Sequence, residues 1–299
     1  MFKKLLKHDI RSVGRFWWIL GAALFFTMLA TGLIFRIGIE TMLYATNTAL
    51  EYNPAFILVV LIMMFAMMGS YFGFIIMLAI AGIGTEILVY WRFYKNLYTD
   101  EGYLTFTLPV SRKQILRSKT INAMIWLTLL GVIAAVGIFI IMLIVPPVED
   151  SGYILINPVI IKGVFTALSE IWDAIGGWLI VYVLLSIPLF LLSVFCTVSF
   201  TQFCITVGSV IVKKLKLLVG IGIYYVVYNL IGTVTYVGSW FAVLFLIDGI
   251  VDFFEAASVN VACLAVTIVM VMAGLMLASF GAIFYFATRN LIERKLNLA

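Results

Sequence analysis

The sequence predicts an all-α polytopic membrane protein with six transmembrane helices. Three observations carry that prediction. Of the 299 residues, 65% are hydrophobic and 11% charged, with a mean hydropathy of +1.19; a soluble domain carries about 25% charged residues. Six apolar runs reach or exceed the roughly 20 residues that a bilayer crossing needs. Finally, the bases sort: in a six-span arrangement, 17 of the 19 Lys and Arg residues fall on one side.

The elements follow in chain order, within a single transmembrane domain covering residues 1–299. Residues 1–15 read as an amphipathic helix. Phe2, Leu5, Leu6, Ile10 and Val13 recur at steps of three and four, and Lys3, Lys4, Lys7 and Arg11 lie elsewhere on the wheel. Such a helix lies in the headgroup plane, its bases toward anionic lipid; a plain basic flank of the first span is the alternative. His8, the only histidine, sits beside Asp9 and reads as a solvated helix residue. Trp17 and Trp18 mark the interface where the first span, 16–38, begins. That run is longer than a signal h-region and lacks a small-residue cleavage site, so no cleavable signal is expected.

The second span, 56–83, carries Met63, Met64, Met67 and Met68, which suit irregular packing or a pliable substrate path. Glu86 follows near the inner end. A charge at the bilayer centre costs about 2.5 kcal/mol or more, so Glu86 is expected at the interface, paired with a base. The third span is 121–145. The connection 146–174 opens with Pro146-Pro147 and is expected to form short surface helices. The fourth span, 175–200, contains Pro188 between Ser186 and Ser193. Proline removes a backbone bond and predicts a kink, a fixed bend or a mobile gate, with the freed carbonyl open to a hydroxyl. The fifth span is 217–239 and the sixth 259–287. Between them, 240–258 is apolar but punctuated by Asp248, Gly249, Asp252 and Glu255, which predicts a re-entrant or surface hairpin. Cys196, Cys204 and Cys263 lie in apolar segments at no metal-ligand spacing and read as small buried hydrophobes.

Orientation follows from the bases. They cluster at the N-terminus, in the second connection (Arg92, Lys95, Arg112, Lys113, Arg117, Lys119), in the fourth (Lys213, Lys214, Lys216) and at the C-terminus (Arg289, Arg294, Lys295). Only Arg36 and Lys162 fall opposite. Lys/Arg-rich connections face the cytoplasm, so both termini are expected there. The formal charge of +5 then reflects topology rather than nucleic-acid binding.

The polar stretch 92–119 is the most informative part of the chain. Pro109 disfavours helix just before it. Ser111 followed by Gln114 is a capping-box pattern, which predicts a helix start leading into the third span. Ahead of it, Leu104, Phe106 and Leu108 are apolar side chains in a cytoplasmic segment, flanked by Asp100, Glu101, Arg112 and Lys113. That mixture makes an amphipathic docking surface for a soluble partner. A loop folded back on its own membrane domain is the alternative.

Glu101-Gly102, a following Thr, Leu108-Pro109-x-Ser111, then Ile115-Leu116 and Lys119 resemble the cytoplasmic loop of type-2 ABC exporter permeases. The run from Tyr94 to Ser111 is similar to small six-span permeases of Gram-positive bacteria. In this chain Tyr103 follows the glycine and the threonine comes at 105. The resemblance implies a type V ABC exporter-like fold in a bacterial cytoplasmic membrane. It implies a coupling helix, residues Asp100, Glu101, Gly102, Tyr103, Leu104, Phe106, Leu108, Pro109, Ser111, Arg112 and Lys113, that fits a cleft on a separate ATPase subunit. It also implies a second permease chain, as a homo- or heterodimer.

The chain itself has no Gly-x(4)-Gly-Lys-Ser/Thr phosphate loop; Gly208-Ser-Val-Ile-Val-Lys213 lacks the second glycine and the hydroxyl. No nucleophile–base pair or metal cluster is evident, so no catalytic or metal site is expected. ATP and Mg are expected in the partner subunit, and this chain binds neither. The scarcity of midplane charge favours a hydrophobic or amphipathic cargo, a peptide or lipid-like molecule. The rival readings are a secondary carrier or channel, which places ionisable groups within the membrane, and a membrane signalling or assembly protein. Cysteine labelling in intact cells tests the topology: sites near Glu149 and Asp252 are expected to react from outside and sites near Lys113 to be protected. External labelling at Lys113 would overturn it.

Overall fold

The computed structural model describes residues 2–47, 54–99, 101–102, 107, 109–144, 158–212 and 215–294. They contain seven long helices: α1 (Phe2–Asn47), α2 (Pro54–Tyr98), α3 (Arg112–Ile144), α4 (Pro158–Ile175), α5 (Trp178–Ile211), α6 (Lys216–Ala256) and α7 (Val259–Arg294). No strand occurs among the described residues. Six helical stretches are long and apolar enough to cross a membrane: Phe2–Tyr44, Pro54–Tyr98, Arg112–Ile144, Trp178–Ile211, Lys216–Gly238 and Val259–Arg294. This is the architecture of a multi-pass membrane protein. In hydrocarbon, helices satisfy every backbone group internally, which is why the apolar runs take this form.

Two expected breaks do not form. Residues 1–15 are not a separate helix, because α1 continues through Arg15 and Phe16 without interruption. No proline lies near that point, and Gly14 alone does not end a helix. Residues 240–258 form no hairpin either, because α6 runs unbroken to Ala256. At about 1.5 Å per residue, its 41 residues extend well beyond a hydrocarbon core of about 30 Å. The stretch bearing Asp248, Asp252 and Glu255 therefore continues as helix instead of turning back. Of the connection 146–174, residues 146–157 lie outside the described residues, and the rest belongs to the single helix α4.

The packing divides into two compact units. One comprises 1–10, 89–125 and 171–299; the other comprises 11–88 and 126–170. In the second, Leu24, Met28 and Ala81 form a fully buried centre, surrounded by Phe74, Met77, Leu78, Leu130, Ile133, Ala134 and Ile141. Trp17 belongs to this interior. It is completely buried, its Nε1 donates to Thr85 Oγ1 at 3.1 Å, and its ring lies 4.7 Å from that of Trp126. The expected interfacial tryptophan pair is thus split: Trp18 is exposed and Trp17 is core. Trp126 fits over Gly14, where any Cβ would collide with it. The second-span methionines divide similarly, with Met67 against Gly38 and Met64 and Met68 exposed.

In the first unit α5 packs against both α6 and α7. Phe200 is central, its ring 5.5 Å from Tyr224 on α6 and 5.1 Å from Phe284 on α7. Nearer the connection between α5 and α6, Gly208 and Gly220 bring the backbones together. A Cβ at Gly208 would overlap the Gly220 backbone nitrogen and stand 2.6 Å from its Cα. A Cβ at Gly220 would stand 2.9 Å from Ile205 Cα. Small residues allow such approach where hydrophobic driving force between helices is weak. Gly208→Ala and Gly220→Ala are therefore expected to destabilise the purified protein by about 1–3 kcal/mol. Gly222→Ala, whose Cβ meets nothing within 4 Å, is expected to be neutral or slightly stabilising. Thermal unfolding in detergent checks this; equal effects at all three positions would refute the close approach.

Candidate partner-coupling site

The polar segment between α2 and α3 stands on two well-anchored feet. At the first, Phe93, Leu97 and Tyr98 are buried at the end of α2. The Tyr98 hydroxyl lies 2.7 Å from Thr206 Oγ1 on α5. Thr206 directs its own hydrogen to the Gln202 carbonyl at 2.7 Å, so Tyr98 is the donor in this pair. Lys216, at the start of α6, reaches the Tyr98 carbonyl at 3.5 Å.

Glu101 and Gly102 are helical and fold against this end. Gly102 N–H donates to Thr99 O at 2.7 Å, and Lys95 Nζ pairs with Glu101 Oε1 at 2.8 Å. Gly102 is buried, and a Cβ there would lie 2.8 Å from Leu97 O. Glu101 stays half-exposed. The expected contact residues Asp100, Tyr103, Leu104, Phe106 and Leu108 lie outside the described residues. Pro109 and Ser111 are exposed, as is Lys113.

The second foot is the start of α3. Ser111 is its cap: Gln114 N–H lies 3.4 Å from Ser111 Oγ and donates to Ser111 O at 2.9 Å. Arg112 turns to the end of α7, its guanidinium donating to Ile292 O at 3.0 Å and Glu293 O at 3.2 Å. A cation at a helix C-terminus meets unpaired carbonyls and the negative end of the dipole. Ile115 and Leu116 follow, both buried. One turn on, Lys119 Nζ donates to Asp9 Oδ1 at 2.6 Å and Ser118 Oγ to Asp9 Oδ2 at 2.8 Å. Asp9 is 4% and Lys119 6% exposed. Thr120 Oγ1 lies 2.9 Å from Gln202 Oε1 on α5.

The helix ends that carry bases are thus joined to one another in this unit. Reading the sequence did not single out Tyr98, Gln202 or Thr206, and it took Asp9 for a surface neighbour of His8. One signal was available: Asp9 is the sole acid among the five bases of the N-terminal stretch.

Other candidates contribute less. Among the described residues, no cation lies within ion-pair distance of Glu86, contrary to expectation. Pro188 sits inside α5, which continues through it. Ser186 and Ser193 donate to Val183 O and Phe190 O, so neither meets the Leu184 carbonyl that the proline leaves. Cys204 and Cys263 are buried and Cys196 is half-buried. No cluster of three metal-ligating groups occurs among the described residues.

Removing one partner of a buried ion pair leaves an uncompensated charge and costs about 3–5 kcal/mol, whereas replacing both with apolar residues is often near neutral. Asp9→Ala and Lys119→Ala are each expected to lose that much stability in denaturant titrations in detergent. Asp9→Leu combined with Lys119→Met is expected to recover most of it. Additive losses would show that the two charges are not coupled.

Compared with protein-family models, with curated proteins and with solved structures, the chain matches none.

Proposed function

We propose that this chain is the membrane permease subunit of a bacterial ABC transporter, an exporter of a hydrophobic or amphipathic cargo such as a peptide or lipid-like molecule. ATP is hydrolysed, with Mg, in a separate nucleotide-binding subunit, and a second permease chain completes the membrane portion. Both termini lie in the cytoplasm. The reading rests on the residues of the 92–119 segment, and one structural observation supports it above others: both feet of that segment are tied to the membrane helices by polar contacts. Tyr98 engages Thr206 on α5, Arg112 engages the α7 carbonyls, and Lys119 engages Asp9 on α1. A push on the loop by a partner is then delivered to several helices at once. This is the rigid coupling that a shift between two packings requires.

Among the expected contact residues that are described, Glu101, Pro109, Ser111, Arg112 and Lys113 keep surface available to a partner. The Glu101–Lys95 pair is solvated, and such pairs contribute about 0.2–1 kcal/mol at most, so its loss leaves the fold intact. Glu101→Ala, and Leu104→Ser with Leu108→Ser, are expected to insert normally and to weaken capture of the ATPase subunit. Truncating a buried interface anchor costs about 2 kcal/mol or more, roughly a thirtyfold loss of affinity. Co-purification with the ATPase, and transport measured in parallel, check this. Wild-type association together with wild-type transport in both variants would refute the loop as coupling element.

A further inference from the structure

Helix α4 carries a second surface, unrelated to ATP coupling. Its residues divide into two stripes. Val164, Phe165, Leu168, Ile171, Trp172 and Ile175 follow the spacing of one helical face. Lys162, Thr166, Ser169, Glu170 and Asp173 follow the same spacing on the opposite face. From Lys162 to Ala174 every residue is exposed, on both faces. Phe165 is 68% and Trp172 47% exposed, so large apolar side chains stand uncovered by the described residues.

What covers them follows from where the helix ends. Gly176 adopts φ +56°, its N–H closing on Trp172 O at 2.7 Å, and this left-handed residue terminates α4. Trp178, two residues later, is the first residue of a candidate membrane span. It is held there by its Nε1 bond to Asn260 of α7 at 3.2 Å. The apolar run of α5 begins at Trp178 itself, with Leu179-Ile180-Val181 directly after it, so the C-terminus of α4 is tethered beside residues that require lipid around them. An open, mostly apolar recess of about 530 Å³ adjoins the elbow. Ile175, the last residue of the apolar stripe, lines it together with Trp178, Val181 and Val259.

We propose that α4 lies in the headgroup–acyl boundary of the leaflet opposite the basic helix ends. Its Phe165–Trp172 face is buried in lipid, and the elbow recess takes acyl-chain ends. The described charges of α4, Lys162, Glu170 and Asp173, sum to −1, so the attraction is apolar rather than electrostatic, unlike that of a basic interfacial helix. Thr166 and Ser169 hydroxyls donate back to Lys162 O and Thr166 O, which lowers their need for water at this depth.

The test uses the full chain, with its three cysteines replaced by alanine, in phosphatidylcholine vesicles. Single cysteines at 162–174 carry nitroxide labels, read by collision with oxygen and with a water-soluble nickel chelate. Oxygen access is expected to peak at 164, 165, 168, 171 and 172, and nickel access at 162, 166, 169, 170 and 173. The pattern is expected to be unchanged when phosphatidylglycerol is added or salt raised. Nickel access at every position would overturn the proposal, because the helix would then stand in water. Loss of access to both reagents along the apolar stripe would also overturn it, because a protein would then cover that face. Insertion seen only with phosphatidylglycerol would contradict the apolar mode. Each label site is exposed, so no label itself enters the core.

Discussion

An aspartate and a lysine almost wholly withdrawn from solvent must be paired, and the Asp9–Lys119 contact meets that requirement at 2.6 Å. Each charge alone would cost several kcal/mol to desolvate. Here both carboxylate oxygens are engaged, one by Lys119 and one by Ser118. The pair thereby fixes the first turns of α1 to the first turns of α3. Ile115 and Leu116 bury themselves one turn earlier in α3, and Thr120 on the next residue reaches Gln202 of α5. The position of the helix that leads away from the polar loop is therefore held by this pair together with the apolar packing of Ile115 and Leu116.

The same end of this unit uses several of its bases structurally. Lys119 binds Asp9 of α1, Arg112 closes the carbonyl end of α7, and Lys216 reaches the end of α2. A cytoplasmic flank rich in Lys and Arg is commonly explained by insertion topology alone. In this chain the bases that would orient insertion also tie helix ends together. In the other unit, Arg36 pairs with Glu40 one turn away at 3.0 Å.

Much of the fold was legible because hydrocarbon leaves few choices. Runs of apolar residues interrupted by charge clusters had to become long helices, and six did. The breaks were less legible. Charges at 248, 252 and 255 argued against crossing, but a helix can extend past the membrane as easily as turn back, and hydropathy does not distinguish the two. Trp17 was misread for a related reason. Tryptophan is enriched at interfaces, yet this ring packs beside Gly21 and Trp126 and its N–H finds an acceptor in Thr85. Within the candidate site, the Ser111 cap is local and could be read from four residues. Tyr98–Thr206 and Asp9–Lys119 join residues more than 100 positions apart. Nothing in a single sequence identifies such partners.

The Glu-Gly and Ile-Leu-x-x-Lys elements of the loop look alike on paper, as motif residues of one segment, but they face different ways. Gly102 is not left-handed; it is needed because Leu97 O would stand 2.8 Å from any Cβ. Ile115, Leu116 and Lys119 point inward against helices of the same chain. Glu101, Pro109, Ser111 and Lys113 keep exposed surface. The inward residues give the segment stiffness and the outward ones give it something to present. A coupling element needs both, since a contact on a slack loop transmits no displacement, and a rigid loop without exposed side chains receives none. Substitutions at Gly102 or Lys119 therefore act through the fold, while those at Glu101 act through the surface, although a motif pattern would place all three in one category.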